Sequence, residues 1–268
     1  MSTAAPDPTE NQLLAALPET DRARLLPYLE RVELPAGKVL HESGSRLSHV
    51  YFPTTAIVSI LYLMEDGASS EIAVVGGDGM VGVALLMGAG STKNRAVVQT
   101  SGEGFRLRAN YILDEFNRGG ATLRLLLRYT QALITQTAQI AACNRHHSLD
   151  QQLCRWLLLG LDRLRSNRII ATQELIANML GVRREGVTVA AGRLESAGLI
   201  HHTRGRIEVV DRVGLEQRTC ECYAVVRDEY SRLLPQAPSS APVIRAPVTA
   251  LFGRSAIAAR EIPLRRTA

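Results

Sequence analysis

Between about Arg31 and Arg108 the apolar positions fall in short runs: "RVEL", "KVLHE", "HVYFP", "AIVSILYL", "SEIAVV", "RAVVQT" and "GFRLR". Turn-forming stretches separate them, in "PAG", "ESGS", "EDGASS", "GGDG" and "TSGEG". Many short strands joined by Gly-rich turns predict an antiparallel roll or barrel, whereas a dinucleotide-binding domain would alternate strands with helices. The period then changes. In "GGATLRLLLRYTQALITQTAQIAACNRHHS" the residues Leu123, Leu126, Leu127, Ala132, Leu133, Ala138, Ile140 and Ala141 recur at three-to-four spacing, which predicts one long amphipathic helix. A helix of about 25 residues extends nearly 40 Å. It can cover the roll or form a seam with a second copy, and its length favours the seam. A further helix is expected in "SLDQQLCRWLLLGLDRLRS", with Ser148 as its cap. From Pro235 onward no period is sustained, and a mostly disordered tail is expected.

The chain has 268 residues, enough for one large or two ordinary domains without covalent staples. Its four cysteines, Cys143, Cys154, Cys220 and Cys222, are too few and scattered for a disulfide framework. No apolar run suits a membrane span, and "MSTAAPDPTENQ" lacks the features of a signal peptide, so a cytoplasmic protein without membrane contact is expected. The formal charge of +5 is less informative than its location. Most of the excess lies in the tail, where Arg245, Arg254, Arg260, Arg265 and Arg266 face only Glu261.

One stretch invites an enzymatic reading. In "VVGGDGMVG", Gly77, Gly79 and Gly82 have the G-x-G-x-x-G spacing of a dinucleotide-binding turn. That turn must open a helix whose N-terminus faces a pyrophosphate. Here Gly88 and Gly90 end any helix after about two turns. No set of general acid, base and nucleophile accompanies the glycines, and no enzymatic activity is expected.

The segment "ATQELIANMLGVRREGVTVAAGRLESAGLIHHTRGRIEVVDR" is more specific. Thr172 caps a helix with Leu175, Ile176, Met179 and Leu180 on one face, and Gly181 closes it. A second helix follows at once and buries Val187, Ala190, Ala191 and Leu194, which makes a helix-turn-helix. Arg183, Arg184 and Glu185 sit at the N-terminal end of this second helix. That end enters the major groove, where Arg can fork to guanine and Glu can accept from cytosine. "HHTRGRIEVV" reads as a hairpin turning at Arg204-Gly205, a basic wing suited to phosphates.

Together these elements resemble the Crp/Fnr transcriptional regulators across roughly residues 12–234. "TQELIANMLGVRREGVTVAAGRLESAGLI" carries the resemblance best, with support from "LPAGKVLHESGSRLSHVYF" and "VVGGDGMVGV". It implies an α+β chain: an antiparallel, cyclic-nucleotide-binding-like β-roll at 12–120, a dimerisation helix at 121–147, a winged helix-turn-helix at 148–234, and a basic tail at 235–268. It further implies a homodimer that binds double-stranded DNA at a near-palindromic site, with RNA polymerase and an unidentified small-molecule effector as further partners. Arg184, Glu185, Thr188 and Val189 are the expected base readers. Thr172, Arg183, His202, Arg204 and Arg206 are the expected phosphate contacts. Gly79, Met80, Gly82, Asn94 and Arg95 mark the expected ligand pocket.

Several positions depart from the family pattern. Met80 stands where nucleotide-binding relatives carry a ribose-binding Glu, and Asn94 and Arg95 stand where they carry an Arg-Ser or Arg-Thr pair for the phosphate. These changes point away from control by cyclic AMP, and no cofactor is expected. A cyclic-nucleotide-responsive regulator, or an interaction module whose winged helix is silent toward DNA, are the alternatives. Val189 replaces a second base-reading arginine, and Arg183 replaces a Ser or Thr cap. Oxygen-sensing relatives carry N-terminal cysteines for an iron–sulfur centre, whereas this chain has none before Cys143. Cys220 and Cys222 are one residue apart with no His nearby in sequence, which misses the usual zinc spacing. A helix with one of the two buried and the other exposed is expected there, and no metal site. His146-His147 are read as a helix junction and His201-His202 as part of the wing.

Overall fold

In the computed structural model, residues 7–164 and 166–234 are described. Two short helices, α1 (Gln12–Ala15) and α2 (Glu19–Leu25), precede the roll. Its strands are β1 (Glu30–Leu34), β2 (Val39–His41), β3 (His49–Pro53), β4 (Ile57–Leu63), β5 (Ser69–Val75), β6 (Arg95–Thr100) and β7 (Gly102–Arg108). Each apolar run singled out in the sequence is one of these strands. They form two antiparallel sheets, ordered β1-β7-β3 and β2-β6-β4-β5. Only a short 3-10 turn, Val83–Met87, follows Gly82, so the glycine-rich loop opens no dinucleotide-binding helix.

Helix α3 (Ala109–Arg118), which the sequence reading did not separate, closes one end of the roll. Next come the long α4 (Gly120–His146) and α5 (Leu149–Leu161). Ser148 and Gln151 form the capping box that starts α5. The remaining elements are β8 (Arg168–Ile169), α6 (Gln173–Leu180), α7 (Arg184–Ser196), β9 (Ile200–Thr203), β10 (Arg206–Val209), α8 (Arg212–Arg218) and α9 (Glu221–Leu233), and α9 packs against α4. The tail expected at 235–268 lies outside the described residues.

The α4 pattern that looked like one apolar face divides into two. Leu126, Ala132 and Ile140 are buried, whereas Leu127, Ala138 and Ala141 are exposed. Its buried face carries polar groups with specific work. The Tyr129 hydroxyl donates to the Met80 carbonyl at 2.8 Å. Gln136 treats β5 as a neighbouring strand would: its Oε1 accepts from the Val74 N–H at 2.9 Å and its Nε2 donates to the Val74 carbonyl at 3.3 Å. These bonds fix the register of α4 against the roll, because a one-residue slide would leave buried backbone groups unpaired.

Strand β4 reads as a near-continuous apolar run because both its faces are covered. Val58 and Ile60 point into the roll, while Ile57 and Leu61 join the core of α5, α6 and α7. On that outward face sits Glu71, which is 4% exposed. Ser59 Oγ lies 2.5 Å from its Oε2 and 3.0 Å from Gln99 Oε1. A hydroxyl has one proton, so all three groups are satisfied in a chain when the carboxyl is protonated and donates to Ser59. Burial pushes the Glu71 carboxyl up to about 7, against the pull of Ser59, Arg155, Arg163 and Trp156.

The folded state thus holds a proton on Glu71 that the unfolded chain releases near the ordinary carboxylate value. The stabilisation is complete below that value and is lost as the pH rises through about 7. Glu71→Gln should remove about 2–3 kcal/mol of the stability lost between about pH 5 and pH 8. Denaturant titration at both pH values checks this, and equal losses in the two proteins would refute it.

Candidate nucleic-acid interface and sensor pocket

Thr172 Oγ1 accepts the Leu175 N–H at 3.1 Å and starts α6, whose Ile176, Ala177, Met179 and Leu180 are buried. Gly181 ends it at φ 66°, a left-handed conformation that L side chains resist, and reverses the chain in a few residues. Helix α7 then buries Val187, Ala190, Ala191 and Leu194. The opposite face is exposed among the described residues. Arg184, Glu185, Thr188 and Val189, at one-turn spacing, are all exposed, so the structure brings the four sequence-predicted base readers together.

Two side-chain contacts join α7 to its neighbours. The Thr188 hydroxyl lies 2.7 Å from Gln173 Oε1 and 3.1 Å from the Arg184 carbonyl, which ties α7 to α6. Arg193 forks onto Asp150 at 2.6 to 3.1 Å, anchoring α7 to the start of α5. Gly186, which weakens the helix in isolation, is explained by packing: a Cβ there would stand 2.9 Å from Leu149 Cδ2. Arg183 occupies the cap position and makes no side-chain capping bond, as its residue type implies.

Strands β8, β10 and β9 form the wing sheet, with Arg204 and Arg206 exposed at its tip. The Gly205 carbonyl accepts from the Ala171 N–H at 3.1 Å, which places the tip beside Thr172. Thr172, Arg204 and Arg206 therefore share one rim. His202 does not reach out with them. It is half-buried, and its Nδ1 faces Glu195 Oε2 at 2.8 Å, while its neighbour His201 faces the other oxygen at 3.1 Å.

A cavity of about 350 Å³ lies between the roll and α4. Met80, Gly82 and Asn94 line it as expected. Arg95 and Gly79 do not. Arg95 turns to Glu42 at 3.2 Å, and a Cβ at Gly79 would stand 2.4 Å from the Tyr129 hydroxyl, so this glycine admits the helix and not a ligand. No Lys, Arg, Asp or Glu lines the cavity among the described residues. Its polar side chains are His41, Asn94, Thr92, Thr130 and Thr137; His41 Nε2 lies 3.0 Å from Asn94 Oδ1, and burial pushes this imidazole below its usual value despite that bond. The walls are otherwise mostly apolar, including Leu133 and Ile134 of α4.

The cysteine expectation is corrected by the fold. Cys220 and Cys222 are both buried, at 4% and 0% exposure, because α9 turns them onto the end of α4 beside Cys143.

A β-roll joined through a long helix to a winged helix-turn-helix is the architecture of a DNA-binding regulator. Two family models match: the cyclic nucleotide-binding domain over residues 31–118 and the Crp-like helix-turn-helix domain over 151–218. The chain belongs to the Crp/Fnr family of transcriptional regulators. Its fold is shared with a protein from Eubacterium rectale described as a Crp/Fnr-family regulator, at TM-score 0.59 and 18% identity, covering 78% of this chain and 98% of that one. FixK2 from Bradyrhizobium japonicum aligns at TM-score 0.58 and 15% identity, covering 72% and 98%. The c-di-GMP-responsive global regulator CLP of Xanthomonas campestris aligns at 0.57 and 15%, covering 72% and 99%. At such identity these structures establish the fold alone. No curated protein matches the chain. Among the described residues no helix is long and apolar enough to cross a membrane.

Arg183→Ser should supply the missing cap and raise stability by about 1 kcal/mol in urea unfolding. An unchanged or lower stability would show that the start of α7 is satisfied in another way.

Proposed function

We propose that the protein is a homodimeric, sequence-specific DNA-binding regulator without enzymatic activity, and that its effector is a small uncharged molecule and not a cyclic nucleotide. The observation that carries the DNA reading is the exposed face of α7, where Arg184 and Glu185 stand at the helix N-terminus and α7 is joined to α6 by Thr188 and to α5 by Arg193. The dimer rests on α4. Leu127, Gln131, Ile134, Ala138, Ala141 and Arg145 are exposed along it at alternating four- and three-residue steps, the spacing of a coiled-coil seam. In a two-fold dimer the two α7 helices would meet successive major grooves about 34 Å apart on a near-palindromic site.

The effector reading rests on the cavity. A cyclic phosphate needs a cation or a cradle of donors, and the mostly apolar walls offer no charged side chain. Ile134 and Ala138 belong both to the cavity wall and to the α4 stripe, so an occupant would press directly on the seam. Val189 offers only apolar contact, for example to a thymine methyl, so the half-site should keep the base pairs read by Arg184 and Glu185 and differ beside them.

Selection of bound duplexes from a random pool, with no ligand added, tests this reading. Two-fold-symmetric half-sites are expected, with affinity unchanged by cyclic nucleotides. An unstructured pool that becomes symmetric on adding a cyclic nucleotide would overturn the effector reading, and one that stays unstructured would mean either that DNA binding requires the uncharged effector or that the winged helix does not read DNA. On the selected site, Arg184→Ala should cost about 1–3 kcal/mol and relax specificity at one base pair. A uniform loss over all sequences would mark Arg184 as a phosphate contact instead.

A further inference from the structure

The end of α4 and the start of α9 bring together four side chains that DNA reading does not use. Cys143 and His147 are four residues apart and share a face at the C-terminal end of α4. Cys220 occupies the cap position of α9, with extended backbone, and Cys222 lies in its first turn. Their sulfur and nitrogen atoms all lie within 4.8 Å of one another. Cys143 Sγ is 3.4 Å from Cys220 Sγ, and Cys222 Sγ is 3.3 Å from His147 Nδ1.

We propose that Cys143, His147, Cys220 and Cys222 form a closed, four-ligand site for a single zinc-class metal ion that fastens α9 to the end of α4. The donor set is that of a structural Cys3His zinc site. With metal–sulfur bonds of about 2.3 Å and a metal–nitrogen bond of about 2.0–2.1 Å, tetrahedral corners lie about 3.5–3.8 Å apart, so small side-chain rotations complete the geometry. Thiolates and imidazole select zinc over the oxygen-seeking magnesium and calcium ions. A group this compact surrounds one ion and leaves no room for a multi-iron cluster.

The surroundings have the form of outer support for a metal site. His147 turns Nδ1 inward and its other nitrogen, Nε2, toward Glu221 Oε1 at 3.3 Å, the carboxylate–histidine arrangement that orients a ligating imidazole. Gln139 Nε2 donates to Cys222 Sγ at 3.1 Å. Three thiolates and a divalent ion carry a net negative charge, and the Arg155 cation, 2% exposed, acts through space on Cys143.

Ordinary apolar packing accounts less well for this group. Free buried cysteines commonly act as small hydrophobes, and Cys154 does so inside the large apolar core of the DNA-binding domain. Cys143, Cys220 and Cys222 instead form a cluster of their own.

Cobalt(II) titration of the full, reduced, tag-free chain after treatment with chelator tests the proposal. The wild type should develop intense tetrahedral visible bands and near-ultraviolet thiolate charge transfer, saturating at one cobalt per chain and bleached by one equivalent of zinc. Cys154→Ala should keep this spectrum, Cys222→Ser should lose it, and Glu221→Gln should bind roughly tenfold more weakly. A wild type without saturable binding, or with only the pale spectrum of octahedral cobalt, overturns the proposal. So does a Cys143→Ala/Cys222→Ala double variant that binds one cobalt as tightly as the wild type.

Discussion

The ion pair between Asp78 and Arg163 is the constraint on which the arrangement of domains depends. Asp78 lies in the glycine-rich loop of the roll, and Arg163 lies just after α5, the first helix of the DNA-binding domain. The guanidinium bonds both carboxylate oxygens, at 3.2 and 2.8 Å, donates to the Leu159 carbonyl at 2.8 Å, and stands 5.3 Å from the centre of the Tyr230 ring on α9. With the Arg163 side chain 4% exposed, water cannot replace the partner it would lose. The rest of the loop is held as firmly. Asn11 Nδ2 donates to the Gly79 carbonyl at 2.8 Å and Tyr129 donates to that of Met80, so the N-terminal segment, the long helix and the DNA-binding domain converge on one loop. This explains its glycines: a Cβ at Gly76 would stand 2.7 Å from the Arg163 Cβ, and one at Gly79 would collide with Tyr129. Of the three glycines with dinucleotide-like spacing, Gly79 admits the Tyr129 side chain, Gly77 lies where a Cβ would stand 3.2 Å from the Thr54 carbonyl, and Gly82 has a left-handed φ of 103°.

The same loop borders the sensor cavity through Met80 and Gly82. Met80 is two residues from Asp78, so a molecule that displaced Met80 would move the loop that holds Arg163. Such a molecule would also touch α4 at Ile134 and Ala138, where the proposed seam runs. Cavity wall, proposed seam and helix-turn-helix domain are thus joined by contiguous contacts, a route along which an occupant would act. At the far end of α4, the four-ligand group would fasten α9, whose Tyr230 meets Tyr129 edge-on at 6.5 Å. A metal ion there would hold in place the element that backs the Arg163 contact.

The strands, the helix-turn-helix and the wing were legible in the sequence because each rests on local chemistry. Alternation with Gly-rich breaks marks the strands, and Thr172 and Gly181 bracket α6 in the way their side chains and backbone require. Features that depend on tertiary packing were not legible. The apolar residues of α4 serve two faces, and sequence spacing alone does not separate a core stripe from an adjacent exposed one. Asn94 and Arg95 are neighbours in sequence, yet only Asn94 lines the cavity: it lies in the bend before β6 and bonds His41, whereas Arg95, the first residue of the strand, turns to Glu42. The cysteine and histidine group is not legible because Cys143 and Cys220 are 77 residues apart and Cys220 and Cys222 are separated by a single residue, so the i,i+4 pair Cys143 and His147 has no visible partner pair along the chain.

A double-mutant cycle on Asp78→Asn and Arg163→Gln, followed by denaturant unfolding, tests most directly whether the loop binds the roll to the reader. If it does, the two substitutions are strongly non-additive, with a coupling above about 1 kcal/mol, since the second removes a partner already lost. Additivity within about 0.5 kcal/mol would show that the two domains are held together elsewhere, and would contradict the account.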